Sequence, residues 1–183
     1  DNHSIPELII ENSHDGTSAL RVFFGVFRIV CLNGMIAGSS FRSMRIIHSQ
    51  NMIKNIDSAI DEMTENVPEL IARVSRFQSI ELTDEKRLEL AQKAADLRLA
   101  YTPGVESVRL PSVLRPKRLA DTKRDAFSVF NVVQENVIRG GIEFIQKQPD
   151  ESLSFKKTRA ISSVTQSVKL NRELWNVLET VAA

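Results

Sequence analysis

A chain of 183 residues is long enough to form one domain with a sizeable core. Its 42% hydrophobic and 26% charged residues are those of an ordinary soluble globular protein. The net charge of only +1 excludes a global field that recruits nucleic acid, so a basic site has to come from local segregation of charge.

The one cysteine, Cys31, rules out an internal disulfide framework and fits a reducing, cytoplasmic compartment. No apolar run approaches the roughly 20 residues of a membrane span. The start Asp1-Asn2-His3 has neither a signal-peptide pattern nor an initiator Met. The chain is therefore expected to be a fragment that lacks an N-terminal part.

In chain order, residues 8–10 form a short apolar run after Pro6 and read as a strand. Asp15-Gly16 and Asn33-Gly34 are hairpin-turn signals, because such turns need residues that accept positive φ. Residues 19–32, rich in Val, Ile and Phe, read as two strands bent at Gly25 or as one long strand bulged there. Residues 35–37 and 41–47 are further strand segments, so residues 7–48 are expected to form an antiparallel β-meander.

Ile53, Ile56, Ile60, Met63, Val67, Leu70, Val74 and Phe77 then repeat at spacings of three and four, which predicts one long helix. Pro68 predicts a kink or break just before it. The helix reads as core against the sheet or, alternatively, as an intermolecular coiled coil. Thr83-Asp84-Glu85 starts another helix, with a capping hydroxyl followed by acids, and Pro103-Gly104 stops it. Residues 104–120 are expected to be an extended basic loop, since Pro111 and Pro116 oppose regular ladders. A helix from Asp121 or Thr122 ends at Gly140-Gly141. Residues 147–157 read as a polar loop, and residues 169–181 as a last helix with Leu170, Leu174, Trp175 and Leu178 turned inward. The sum is a single α+β domain, 1–183: the meander, helices over 50–101, the basic loop, and C-terminal helices over 121–183 packed on the sheet.

Four constellations bear on chemistry. The first is charge: residues 18–49 carry Arg21, Arg28, Arg42 and Arg45 and no acid. Residues 107–124 carry Arg109, Arg115, Lys117, Arg118, Lys123 and Arg124 against the one acid Asp121. The acids gather elsewhere, at Asp57, Asp61, Glu62, Glu65 and Glu69 and again at Asp84, Glu85 and Glu89. Such segregation suits a phosphate-binding face on a nearly neutral protein, and arginine suits bidentate phosphate contact. It equally describes basic loops paired with an acidic helix.

The second constellation is Phe23, Phe24 and Phe27, which are either core on both faces of a strand or a platform for a single-stranded base. The third is His14 and Asp15 with Cys31 and His48; their spacing fits no metal signature, and local turn hydrogen bonding explains the first two. The fourth is Asn131, Glu135 and Arg139, aligned on one helix face at i, i+4 and i+8. It reads as a solvated face or as a ladder that completes a site with Asn12 or His14.

The blocks Asn12-Ser13-His14-Asp15-Gly16-Thr17-Ser18-Ala19, Phe27-Arg28-Ile29-Val30-Cys31-Leu32-Asn33-Gly34 with His48, Phe130-Asn131-Val132-Val133-Gln134-Glu135-Asn136 with Arg139-Gly140-Gly141, and Leu170-Asn171-Arg172-Glu173-Leu174-Trp175 resemble a phage- and plasmid-borne family catalogued as domain of unknown function 932. The resemblance spans residues 12–178 and marks Asn12, His14, Asp15, Gly16, Asn33, Gly34, His48, Asn131, Glu135 and Arg139 as motif positions. It implies mobile-element biology and no particular reaction. A β-meander followed by a long helix is also similar, at the level of fold, to single-strand annealing proteins, which implies single-stranded DNA in a basic groove and a homo-oligomeric ring.

Together these features point to a single-stranded DNA-binding protein of a mobile element, acting in strand annealing and recombination. Arg21, Arg28, Arg42 and Arg45 would contact phosphates from the sheet, and Arg109, Arg115, Lys117, Arg118, Lys123 and Arg124 from the loop. No cofactor and no metal is expected. One alternative is a protein-interaction or anti-defence module working through the long helix. The other is a metal-assisted nuclease or hydrolase around His14, Asp15 and Glu135.

Overall fold

The computed structural model describes residues 4–11, 20–28, 33–36, 44–46, 52–118 and 121–183. It is a mixture of helix and antiparallel sheet that divides into two compact units, Asp1–Val74 and Ser75–Ala183.

In the first unit, strands β1 (Ser4–Glu11) and β2 (Leu20–Arg28) pair antiparallel in unbroken register from Ser4 opposite Arg28 to Glu11 opposite Arg21. The other edge of β2 is shared. Strand β3 (Asn33–Ile36) covers its second half and β4 (Met44–Ile46) its first three residues. Because β4 returns to β2, this sheet is not a simple meander. Helix α1 (Met52–Glu65) packs on β4.

Two readings around β2 are corrected here. Asn33-Gly34 is not the turn: these residues are strand, opposite Arg28 and Phe27, and the link falls at residues 29–32, outside the described residues. Gly25 neither bends nor bulges its strand, for it pairs in register with Glu7 and with Ile36. Asp15-Gly16 lies outside the described residues.

The long apolar repeat is broken where Pro68 requires. Helix α1 ends at Glu65 and α2 (Val67–Ser79) begins one residue before the proline, which therefore occupies the first turn, where its missing N–H is not needed. Leu70 and Phe77 are buried as the repeat predicts, whereas Ile60 is exposed.

In the second unit, helices α3 (Asp84–Leu99), α5 (Ala126–Arg139) and α6 (Val164–Val181) pack on one another. Helix α3 offers Leu90, Ala91, Ala94, Ala95 and Leu99, and its small residues let the backbones approach closely. Trp175 of α6 is fully buried between Phe77 and Phe130, with edge-to-face contacts at 5.5 and 5.8 Å. Side chains cap all three helix starts. The Thr83 hydroxyl accepts from Lys86 N, the Asp125 carboxylate from Ser128 N and the Ser163 hydroxyl from Gln166 N.

Four sequence expectations change in this unit. The basic loop holds a strand, β5 (Val105–Val108), and a single helical turn, α4 (Leu110–Val113), with Pro111 in the first turn, where proline is tolerated. Helix α5 starts at Ala126 rather than near residue 121, because Asp125 is the capping residue. The supposed polar loop contains strand: β6 (Glu143–Lys147) pairs with β5 on one side and with β7 (Leu153–Lys157) on the other. Helix α6 begins five residues before Lys169, at the cap that Ser163 supplies.

Asp125→Ala is expected to lower unfolding free energy by about 1 kcal/mol through the lost cap. A urea midpoint unchanged from the parent chain would show that the cap contributes nothing.

Candidate functional site

Helix α5 is buried along nearly its whole length, from Ala126 to Val137, yet it carries Asn131, Gln134, Glu135 and Asn136. The reading of Asn131 and Glu135 as a solvated face is therefore corrected: both are buried, and of that ladder Arg139 alone is exposed. Burial of these groups is tolerable because, apart from Asn131 Oδ1, they find partners. Gln134 donates Nε2 to Asn171 Oδ1 at 2.7 Å, joining α5 to α6. Asn136 Nδ2 donates to the carbonyls of Val113 and Arg115 at 2.9 and 3.0 Å, which fastens the basic segment onto the helix. Asn131 Nδ2 turns back to Phe127 O at 2.7 Å.

Glu135 is the buried charge, and Arg118 Nη1 meets its Oε2 at 2.6 Å. A second carboxylate, Glu143 on β6, takes Arg109 on one oxygen and Arg115 on the other, each at 3.3 Å. The Ser112 hydroxyl accepts from Glu143 N and donates to Arg109 O, locking this strand end to the short helix.

The C-terminal end of α5 gathers further cations. Lys117 Nζ donates to Gly140 O at 3.2 Å, and Arg98 Nε donates to Val137 O at 3.1 Å. Cations suit a helix C-terminus, where the last carbonyls lack intrahelical partners. The chain then turns through Gly140 and Gly141, with φ of 80° and 126°, values that favour glycine. A Cβ at Gly140 would lie 2.6 Å from the backbone at Thr158 and Arg159, so only glycine fits. A Cβ at Gly141 would lie 3.8 Å from Lys157 Cε and 3.9 Å from Lys117 Nζ, which locates both lysines over this turn.

Burial pulls the pKa of Lys117 below its ordinary value; Glu135 opposes that shift, while Arg118, Arg139 and Lys157 reinforce it. Around the end of α5, Lys117 thus lies among Arg118, Arg139 and Lys157, with the carboxylate of Glu135 beside them. Adjacent to them, Arg109 and Arg115 share Glu143. Three of the four cations around Glu135 (Lys117, Arg139 and Lys157) are exposed. Such a gathering of exposed cationic side chains can bind an anion with several oxygens, a phosphate above all.

The remaining predicted positions fall as follows. Arg124 pairs with Asp84 and lies 4.0 Å from Glu81, and Lys123 is exposed. Arg21 on β2 stands opposite Arg45 on β4, and Arg28 opposite Asn33. Asn12, His14, Asp15, Gly16, Arg42 and His48 lie outside the described residues. Among the described residues, no group of three His, Cys, Asp or Glu side chains could hold a metal ion, and no helix is long and apolar enough to cross a membrane.

Sequence reasoning missed Glu143 and Lys157. The alternation of large apolar and polar residues in Leu153-Ser154-Phe155-Lys156 was the available strand signal for that segment.

The family model described as "Domain of unknown function (DUF932)" matches residues 1–175. The UPF0380 protein YfjQ of Escherichia coli (strain K12) is 31% identical over 179 residues, which cover 97% of this chain and 63% of that protein. The UPF0380 protein YafZ of the same strain matches to the same extent, with 31% identity, 97% of this chain and 63% of its own. The chain thus spans less than two thirds of the length of these relatives. No solved structure matches it.

Two predictions follow from this geometry. Arg118→Ala leaves Glu135 buried without its partner and is expected to cost about 3 kcal/mol of stability, most of which the double change Arg118→Ala, Glu135→Gln restores. Chemical denaturation of the three variants measures it; equal losses in single and double variants would contradict it. For Lys117, the folded chain gives up its proton at lower pH than the unfolded chain does, so the unfolded state binds more protons between the two pKa values. Stability contributed at this site therefore rises with pH across the window just below lysine's ordinary 10.5, and Lys117→Met should lack that rise.

Proposed function

This chain is a member of the DUF932 family, and from that premise we propose that it binds single-stranded DNA through the cations gathered at the end of α5. The observation that carries the reading is the gathering of Lys117, Arg118, Arg139 and Lys157 around the end of α5, three of them exposed. Phosphates lie on the outside of a nucleic acid, so exposed lysine and arginine donors engage them without regard to sequence. Arg118, Arg109 and Arg115 also hold the segment against Glu135 and Glu143, and Lys117, Arg139 and Lys157 meet the ligand.

Arg21, Arg28, Arg42 and Arg45 would make phosphate contacts of their own. In this reading the protein serves a phage or plasmid, acting in the cytoplasm as a homo-oligomer that anneals complementary strands during recombination. A sheet followed by helix resembles single-strand annealing proteins at the level of fold only, and the return of β4 to β2 and the break at Pro68 depart from that pattern.

Fluorescence polarisation with a labelled poly-dT oligonucleotide, at about 50 mM and about 200 mM salt, tests the proposal. Binding is expected to fall steeply with salt. The double variant Arg139→Ala, Lys157→Ala should weaken it and flatten the slope of log K against log salt by about two. No binding at the lower salt would overturn the reading and turn the search toward protein partners.

A further inference from the structure

One face of the three-stranded sheet β5-β6-β7 is largely open, apart from the buried Glu143 at its end. Phe144 lies in the core, whereas Ile145, Leu153 and Phe155 are 37%, 65% and 63% exposed. The register puts these three together. Ile145 stands directly opposite Phe155, Lys147 opposite Leu153 and Glu143 opposite Lys157, and residues two apart on a strand share a face. The open face is therefore a column of Leu153, Phe155 and Lys157 beside a column of Lys147, Ile145 and Glu143. Its apolar centre lies between lysines at both ends, and at one end Lys157 belongs to the cation cluster around Lys117. Lys147 bridges to Glu151 at 3.5 Å, an exposed pair that a phosphate can displace.

We infer that this face is a base-stacking platform, on which Phe155, flanked by Leu153 and Ile145, takes the bases of a single strand whose phosphates run onto Lys157 and the cluster beyond. This deepens the DNA-binding reading above and rests on it. An exposed aromatic ring on a sheet, next to cations, is the arrangement that holds unpaired bases without sequence preference, because every base presents a π face. Charge argues against a second copy of the chain as the occupant. A symmetric pairing through this face would bring Lys147 and Lys157 of the two copies together, and Lys156 and Lys157 on the edge strand β7 oppose strand-to-strand pairing. A polyanion meets the same lysines favourably.

The test compares the parent chain with Phe155→Ala and Phe155→Tyr. It uses labelled poly-dT and an abasic deoxyribose-phosphate oligomer of equal length, with sedimentation velocity alongside. Phe155→Ala is expected to weaken poly-dT binding about tenfold. The salt slope should not change, Phe155→Tyr should bind like the parent, and the abasic oligomer should bind all three chains alike. Because the ring is largely exposed, the substitution should not impair folding, and retained binding by Phe155→Ala to the abasic oligomer confirms a folded chain. Parent-like affinity of Phe155→Ala for poly-dT would overturn the platform while leaving the phosphate contacts standing. So would a Phe155→Ala effect of equal size on the abasic oligomer, or a change of oligomeric state without loss of poly-dT binding. Failure of the parent chain to bind either oligomer at low salt would instead overturn the DNA-binding reading itself, and the platform with it.

Discussion

The second unit depends on the burial of a helix that is not wholly apolar. Helix α5 is enclosed from Ala126 to Val137, so Gln134, Glu135 and Asn136 must each be met inside the protein or cost several kcal/mol. Each requirement recruits a different piece of chain. Gln134 brings α6 through Asn171, Asn136 brings the backbone after α4, and Glu135 brings Arg118. The apolar contacts around Trp175 supply the bulk of the burial, while the polar contacts fix which segments lie against the helix.

That arrangement has an electrostatic consequence. Recruiting Arg118 for Glu135 brings along its neighbours in the basic segment, and the carbonyls at the end of α5 draw in Lys117 and Arg98. The two glycines then let the chain double back tightly enough for β7 to run beside this cluster, which adds Lys157. The end of the helix is thereby surrounded by several cations. Lys117, Arg139 and Lys157 among them are exposed, and Lys157 belongs also to the open face of the small sheet.

The unequal legibility of these parts follows from the range of the forces involved. The break at Pro68, the cap at Thr83, the stop at Gly140-Gly141 and the inward stripe of Leu170, Leu174, Trp175 and Leu178 could be read directly, because each is set by neighbours within a turn or two of helix. Strand β5 could not, and β7 showed only a short alternation, since a four- or five-residue strand depends on the partner that completes its ladder. The polar ladder Asn131–Glu135 read as solvated for the same reason. A glutamate on a helix face looks alike in sequence whether water or an arginine seventeen residues away satisfies it.

The sequence by itself determined the α+β class, the family, the break at Pro68, the cap at Thr83, the stop at Gly140-Gly141 and the concentration of cations between residues 107 and 124. Those features depend on composition and on contacts close along the chain. Only the tertiary structure decided which of the cations pair with Glu135 and Glu143, which gather at the end of α5, and that Phe155 stands exposed on the adjoining sheet. These depend on pairings between segments far apart in the chain, such as Glu143 with Arg109 and Arg115 or β6 with β7, whose energy exists only once the chain has closed.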